Sequence, residues 1–300
     1  MLENIRKPFE KAKIYNKTKL TGLIGNPVAH SNSPRLHNGA FEALGMDDYA
    51  YLLFEINADQ AEEAIHELAE LGLIGINVTM PDKIIAARVC NELTDSAKIM
   101  GSVNTIKFED GKIKGFNTDG WGFFRALESE GCEHSGKAMT LLGAGGAARA
   151  ILTEGVSSGL KRVSIFSRPG DRFSEVQDLA EHLYKANPGC DIAVTDLSKT
   201  AELAESIRYS DILVNATSVG MSSNECVISD FSGFHSKLFV ADIIYKNPKT
   251  ALLKAAEDRN LRTMNGIPML FYQADLAFKI WHGVNIPGTI YLKLKKTVWQ

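Results

Sequence analysis

Lys83 is the residue of this sequence best suited to move a proton. It lies four residues after Thr79, in the loop or first helical turn that follows a predicted strand. A lysine at the carboxyl end of a strand can donate a proton to a substrate oxygen and accept it back, although a lone lysine is also commonly a solvated surface charge. Asp119 is the second candidate for chemistry, and an acid at this place also suits a helix cap.

Two serines could hold an anion. Ser33-Pro34 predicts the start of a helix that runs to Leu44 and ends at Gly45, with Ser33 as N-cap and Pro34 at the first helical position. The hydroxyls of Ser31 and Ser33, together with N–H groups of the helix start, suit a carboxylate. Capping alone would account for Ser33 but not for Ser31.

A glycine-rich segment predicts a dinucleotide site. Gly143-Ala144-Gly145-Gly146-Ala147-Ala148 follows a predicted strand and precedes a predicted helix. It matches the G-x-G-x-x-G/A pattern, in which the first glycine makes a tight turn and the second lets the backbone approach the pyrophosphate at the helix N-terminus. The same pattern also occurs as a strand-to-helix turn without a ligand.

The loop after the next predicted strand should select between NAD and NADP. It reads Ser167-Arg-Pro-Gly-Asp171. Asp171 would accept the hydroxyls of a plain ribose and repel a 2′-phosphate, whereas Arg168 could stack on adenine or contact that phosphate. Asp171 lies somewhat late for this role and could be an N-cap. We expect NAD, with NADP as the alternative.

Strands and helices alternate along the chain, which predicts an α/β fold with largely parallel sheets. The predicted strands are Leu20–Ile24, Tyr49–Ile56, Leu73–Val78, Ala138–Leu142, Val163–Phe166, Ile192–Thr195, Ile212–Asn215 and Leu238–Ile244, with a hairpin turn at Asp110-Gly111. Helices are predicted over Asp59–Leu71, after Asp119, near Met269–Trp281 and near Pro287–Thr297. We expect an N-terminal α/β substrate domain of residues 1–118, completed by 267–300, a Rossmann-type domain of residues 119–266, and a cleft between them.

Composition excludes several classes of partner. A net charge of -3 without a basic stripe argues against nucleic acid. The four cysteines form no CxxC pair and the seven histidines show no ligand spacing, so we expect no metal and a reducing cytoplasm. No apolar run reaches the roughly 18 residues of a membrane span. The basic first 18 residues predict an extra helix or a loose arm, and the sequence leaves open whether the chain forms a homodimer.

Seven segments, in this order, resemble the shikimate dehydrogenase family, including its quinate/shikimate dehydrogenase branch. They are GNPVAHSNSPRLHN, GINVTMPDK, GSVNTI, GFNTDGWGF, LLGAGGAARA, VNATSVGM and NGIPMLFYQADLAF, and the resemblance covers roughly residues 19 to 298. It implies reversible, nicotinamide-dependent reduction of 3-dehydroshikimate to shikimate, a small-molecule substrate, and in some members oxidation of quinate.

The resemblance also implies roles for individual residues. Lys83 and Asp119 would form the catalytic pair, with Asp119 orienting the lysine and a substrate hydroxyl. Ser31 and Ser33 would hold the substrate carboxylate. The remaining implied contacts are Asn77, Thr79, Asn104 and Gln273 with the substrate, Tyr245 lining the cleft, Thr217 with the cofactor, and the Gly266 backbone with the nicotinamide carboxamide.

This sequence departs from the family pattern in three places. Asp82 precedes Lys83, where a bulkier aromatic or neutral residue is more common. The SRPGD loop lacks the fuller basic pattern of NADP-dependent members, and the first 18 residues have no counterpart in the family core. A relative acting on another hydroxylated cyclic acid, or a silent sensor of shikimate or NAD, stays open, although a sensor would need neither Lys83 nor Asp119.

Overall fold

The computed structural model describes residues 17–298, which form two compact units. The first unit contains residues 17–118 and Gln273–Leu294, and the second contains Asp119–Tyr272 and residues 295–298. The extra helix or arm predicted for the N-terminus falls, for residues 1–16, outside the described residues. Within the described range, no helix has the length and apolar character needed to cross a membrane.

A mixed six-stranded sheet forms the centre of the first unit. Its order is β2-β1-β3-β5-β6-β4, in which β1 is parallel to β2 and β3 whereas β5 is antiparallel to β3 and β6. The strands are β1 (Lys19–Gly25), β2 (Tyr49–Glu55), β3 (Gly75–Val78), β4 (Glu92–Leu93), β5 (Thr105–Glu109) and β6 (Lys112–Phe116). The predicted hairpin is confirmed, because Asp110 and Gly111 both have positive φ, as a type I′ turn requires.

Helices cover this sheet and begin close to its polar segments. They are α1 (Ser33–Leu44), α2 (Ala61–Glu70), α3 (Lys83–Val89) and α4 (Asp95–Met100), joined by parts of α10 (Ile267–His282) and α11 (Gly288–Val298). The predicted C-terminal stop of α1 is confirmed, since Gly45 adopts the left-handed conformation. Residues 58–60 form a separate 3-10 turn, so the helix predicted from Asp59 is shorter than expected.

The second unit is a doubly wound parallel sheet. Its order, β12-β11-β10-β7-β8-β9, is the Rossmann order read from one edge to the other. The strands are β7 (Ala138–Leu142), β8 (Arg162–Ser167), β9 (Asp191–Asp196), β10 (Ile212–Asn215), β11 (Phe239–Asp242) and β12 (Arg262–Met264), and the helices are α5 (Asp119–Ser129), α6 (Gly146–Ser157), α7 (Asp171–Ala186), α8 (Thr200–Arg208) and α9 (Ala251–Glu257). All five residues of β7 are buried, which is typical of a central parallel strand.

Candidate active site

Ser31 and Ser33 lie together at the start of α1. The Ser31 hydroxyl accepts the Ser33 N–H at 3.2 Å and donates to the Ser33 hydroxyl at 3.2 Å. The prediction that Ser33 caps the helix is wrong: Asn32 occupies the N-cap position, its carbonyl accepts the N–H of Leu36, and Ser33 is the first helical residue. Ser31 therefore satisfies one N–H of the helix start from outside the helix, and the Ser33 hydroxyl lies beside it.

Asn77 is the centre of a buried polar network. Its side-chain NH₂ donates to the Asn104 carbonyl at 3.2 Å and to the Thr105 hydroxyl at 3.1 Å, and its Oδ1 accepts the Tyr51 hydroxyl at 2.7 Å. Asn77 is only 7% exposed. Because both amide hydrogens are already used, a ligand hydroxyl that reached Asn77 would have to donate to Oδ1.

Tyr51 connects the network to the serines, a role that sequence reasoning missed. Its ring stacks in parallel on the buried imidazole of His37 at a centroid distance of 4.2 Å. Burial raises the pKa of the Tyr51 phenol, which also forms a side-chain hydrogen bond with Ser33, so the hydroxyl stays protonated. Tyr51 belongs to an apolar strand in the sequence, and no local pattern marks its partners, which lie 18 and 26 residues away.

Asn104 fixes the chain immediately before Asp119. Its Oδ1 accepts the Thr118 N–H at 2.9 Å, and its Nδ2 donates to the Thr118 hydroxyl at 3.0 Å. Thr118 is fully buried, whereas Asp119, the first residue of α5, is partly exposed. Asn104 therefore acts on the backbone that leads to the candidate catalytic acid, in addition to any ligand contact.

Lys83 begins α3 directly after β3 and a tight turn. The Thr79 N–H donates to the Ile24 carbonyl at 3.0 Å, the Asp82 N–H donates to the Thr79 carbonyl at 3.0 Å, and the Lys83 carbonyl accepts the Val103 N–H at 2.9 Å. The side chains of Thr79 and Lys83 are half-buried. The turn is therefore fixed at both ends while Lys83 keeps access to solvent.

Asp82 lies in an unusual environment beside this lysine. Its side chain is fully buried, and neither carboxylate oxygen has a hydrogen-bond partner among the described residues. Burial raises the pKa of the Asp82 carboxyl to about 6. The folded chain therefore keeps this proton up to a higher pH than a solvated aspartate would, and above about pH 6 the ionised carboxylate is buried at a cost.

The dinucleotide turn has the geometry that its pattern predicts. Gly143 has φ +110, and a Cβ there would lie 2.9 Å from the Ala216 carbonyl oxygen, so only glycine fits. A Cβ on Gly145 or Gly146 would meet nothing within 4 Å, which leaves open space beside the N-terminus of α6. The residues present therefore fit a pyrophosphate, which would accept the N–H groups of this helix start.

The ribose loop carries charges of both signs. Arg168 and Asp171 are exposed. The possibility that Asp171 is an N-cap is wrong, because Gly170 occupies that position with φ +142 and accepts the N–H groups of Phe173 and Ser174. Asp171 is the first helical residue of α7, from which a carboxylate can face either the loop or solvent.

The remaining predicted residues follow the strands of the second unit, except Gln273. Thr217 follows β10, Tyr245 follows β11, and Gly266 follows β12; burial raises the pKa of Tyr245. Gln273 lies in α10 and belongs to the first unit, as does Lys83. Asp119 belongs to the second unit, so the pairing of Lys83 with Asp119 stays a prediction.

The fold and these sites define a class of protein before any comparison is made. The first unit has a buried network of serine, tyrosine and asparagine side chains and a half-buried lysine that follows a strand of the same sheet. Such a unit, joined in one chain to a Rossmann unit with an intact dinucleotide turn, is typical of an oxidoreductase that uses a nicotinamide dinucleotide.

Comparisons with known proteins narrow the class. A family model described as the shikimate dehydrogenase substrate binding domain matches residues 23–106. A shikimate dehydrogenase (NADP(+)) of Alkaliphilus metalliredigens is 38% identical over 92% of this chain and 95% of its own length. A quinate/shikimate dehydrogenase of Escherichia coli is 38% identical over 90% and 94%. The structure of shikimate 5-dehydrogenase from Listeria monocytogenes with shikimate and NAD is 35% identical, with a TM-score of 0.90 over 96% of this chain and 98% of that one. The chain belongs to the shikimate dehydrogenase family.

Proposed function

We propose that this chain catalyses the reversible reduction of 3-dehydroshikimate to shikimate with NAD or NADP. The observation that carries the proposal is the buried network of Tyr51, Asn77 and Asn104, which joins the serine pair to the segment leading to Asp119. Relatives named shikimate dehydrogenase, similar over nine-tenths of this chain, support the same substrate.

The substrate is a hydroxylated ring acid, and the first unit offers groups for each of its parts. The hydroxyls of Ser31 and Ser33 would rotate away from their present partners and donate hydrogen bonds to the carboxylate. A ring hydroxyl would donate to Asn77 Oδ1, whereas Thr79 and Gln273 would bind others. Hydrogen bonds to a charged group contribute about 1.5–3 kcal/mol each, so the serine pair would supply much of the affinity.

Lys83 and Asp119 would handle the proton. Reduction of the carbonyl leaves a negative substrate oxygen, and the Lys83 ammonium would protonate it; in the reverse direction Lys83 would accept that proton. Asp119 would hold the ammonium and a substrate hydroxyl in place through its carboxylate. The bound nicotinamide supplies or removes the hydride.

The cofactor would be held by residues of the second unit. Gly143, Gly145 and the start of α6 would bind the pyrophosphate, assisted by the backbone of Ala144, Gly146 and Ala147. Arg168 and Asp171 would meet the adenosine ribose, and Thr217 and Gly266 would lie near the nicotinamide. Tyr245 would line the cleft on the substrate side.

Absorbance at 340 nm tests the proposal, with shikimate and quinate each paired with NAD and NADP. We expect turnover of shikimate with at least one cofactor. Lys83→Ala should lower kcat by about 10²–10⁴-fold, the usual contribution of acid–base catalysis. Lys98→Ala, which removes an exposed ammonium from the same unit, should not. Dinucleotide binding without turnover of either acid would contradict the proposal and favour a sensor.

Quinate is the second candidate substrate. The Escherichia coli relative, whose name includes both acids, is as similar to this chain as the relative named for shikimate alone. The ratio of kcat/KM for the two acids, measured in the same assay, decides between them.

A further inference from the structure

A second buried polar network lies at the carboxyl ends of β10 and β11 in the second unit. Asn215, the last residue of β10, and Asp242, the last residue of β11, are both fully buried. Asn215 Nδ2 donates to Asp242 Oδ2 at 3.0 Å and to the Val219 carbonyl at 3.3 Å. The carboxyl ends of two adjacent parallel strands are thus joined by side chains as well as by the sheet.

Asn215 sets the path of the chain through Thr217. Its Oδ1 accepts the Thr217 N–H at 3.0 Å and the Thr217 hydroxyl at 2.7 Å, and that hydroxyl accepts the Val219 N–H at 3.1 Å. The Thr217 methyl and the Ala216 carbonyl in turn face Gly143, where a Cβ would lie 3.1 and 2.9 Å from them. The position of Thr217 against the dinucleotide turn therefore depends on Asn215.

Asp242 fixes the backbone of the segment that follows β11 and contacts Gly266. Its Oδ1 accepts the Ile244 N–H at 3.0 Å, and its Oδ2 also accepts the Thr250 hydroxyl at 2.8 Å. The Ile244 carbonyl accepts the Gly266 N–H at 3.0 Å, and a Cβ on Gly266 would lie 2.0 Å from the Ile243 carbonyl oxygen. Gly266 consequently packs closely against the backbone of Ile243 and Ile244, and the buried Asp242 carboxylate fixes that backbone through the Ile244 N–H.

We propose that Asn215 and Asp242 are positioning residues that hold Thr217 and Gly266 where the nicotinamide half of the cofactor binds. The proposal rests on the proposed function, because it takes the cofactor to be a nicotinamide dinucleotide. Neither residue needs to touch the cofactor. Their effect reaches it through two backbone segments that have little freedom to move.

Two variants test the positioning role. Asp242→Asn keeps the shape but places an amide hydrogen against Asn215 Nδ2, and Asn215→Ser removes the amide altogether. The first probe is the dinucleotide that the wild type prefers. The second probe is the fragment of that dinucleotide that lacks nicotinamide, which is ADP-ribose for NAD and ADP-ribose 2′-phosphate for NADP. We expect both variants to bind the dinucleotide at least tenfold more weakly, a loss of about 1.4 kcal/mol. Binding of the fragment should weaken by a clearly smaller factor, because the fragment shares only the contacts at the dinucleotide turn.

The control is Thr140→Val. Thr140 is equally buried in the same sheet, and its hydroxyl bonds Ser206 and Ser210 at 2.8 Å each. The Thr140→Val variant should have a lower melting temperature but unchanged dissociation constants for the dinucleotide and for the fragment. Equal weakening of dinucleotide and fragment, the same loss in Thr140→Val, or unchanged binding in the two variants would overturn the positioning role. If Asp242→Asn does not fold, Asn215→Ser decides. A wild type that binds no dinucleotide would instead refute the proposed function.

Discussion

Replacing Asp82 with asparagine should stabilise the protein at neutral pH. The carboxyl is fully buried and lacks a hydrogen-bond partner among the described residues, and burial raises its pKa from 3.8 to about 6. The folded state therefore holds the proton more tightly than the unfolded chain. Stability contributed by this group is complete below about pH 4 and is lost as the pH rises to about 6, above which an ionised carboxylate remains buried.

The magnitude follows from the size of the shift. Each pKa unit corresponds to about 1.4 kcal/mol, so the penalty above pH 6 is at most about 3 kcal/mol, and relaxation of the surroundings reduces it. An amide keeps the shape of the neutral acid without its ionisation. Asp82→Asn should consequently raise the free energy of unfolding by about 1–3 kcal/mol near pH 7.5 and by much less near pH 4.

Urea unfolding at the two pH values measures this difference. The control is Asp47→Asn, which removes a carboxyl that water already solvates and should change stability similarly at both pH values. If Asp82→Asn gave the same change at both, or destabilised the protein more at neutral pH, the carboxylate would not be an unpaired buried charge and the reasoning would be refuted.

Three further changes test the assignment of the sites. Ser31→Ala combined with Ser33→Ala should raise KM for shikimate at least tenfold with a smaller change in kcat, since each hydroxyl–carboxylate bond contributes about 1.5–3 kcal/mol; an unchanged KM would place the carboxylate elsewhere. Tyr51→Phe keeps the ring stack but removes the hydroxyl shared by Asn77 and Ser33, so KM for shikimate should rise several-fold while KM for the cofactor stays constant, and an equal rise in both would argue against a local role. The wild type should prefer NAD, and Asp171→Ala should shift the kcat/KM ratio towards NADP by about two- to fivefold, because exposed charges interact by only about 0.2–1 kcal/mol; a wild type that prefers NADP, or a constant ratio, would contradict this.

Features that depend on neighbouring residues could be predicted from the sequence. The sequence predicts the strand Ala138–Leu142 because a buried parallel strand is a continuous apolar run, and it predicts the turn at Gly143 because the positive φ there requires glycine. The hairpin at Asp110-Gly111 is predictable because both turn residues must adopt positive φ, which aspartate and glycine tolerate.

Features that depend on distant residues, or on a choice between adjacent residues, could not be predicted. The Tyr51–Asn77 bond joins residues 26 positions apart, and neither strand pattern marks it. Ser33 and Asp171 are both first helical residues because the residue before each of them takes the cap position. Asn32 and Gly170 satisfy the same preferences as their neighbours, so propensity alone cannot decide between them.

The direction of β5 explains why the polar residues of the first unit gather at one edge. β1 and β3 are parallel neighbours, so Ser31, after β1, and Asn77, in β3, belong to the same edge of the sheet. Asn104 precedes β5 and would lie at the opposite edge if that strand were parallel. Because β5 is antiparallel, Thr105 pairs with Asn77 in register, and Asn104 meets both Asn77 and Thr118, which follows β6. The reversal that breaks the parallel pattern of this sheet is therefore what assembles the network on which substrate binding is proposed to depend.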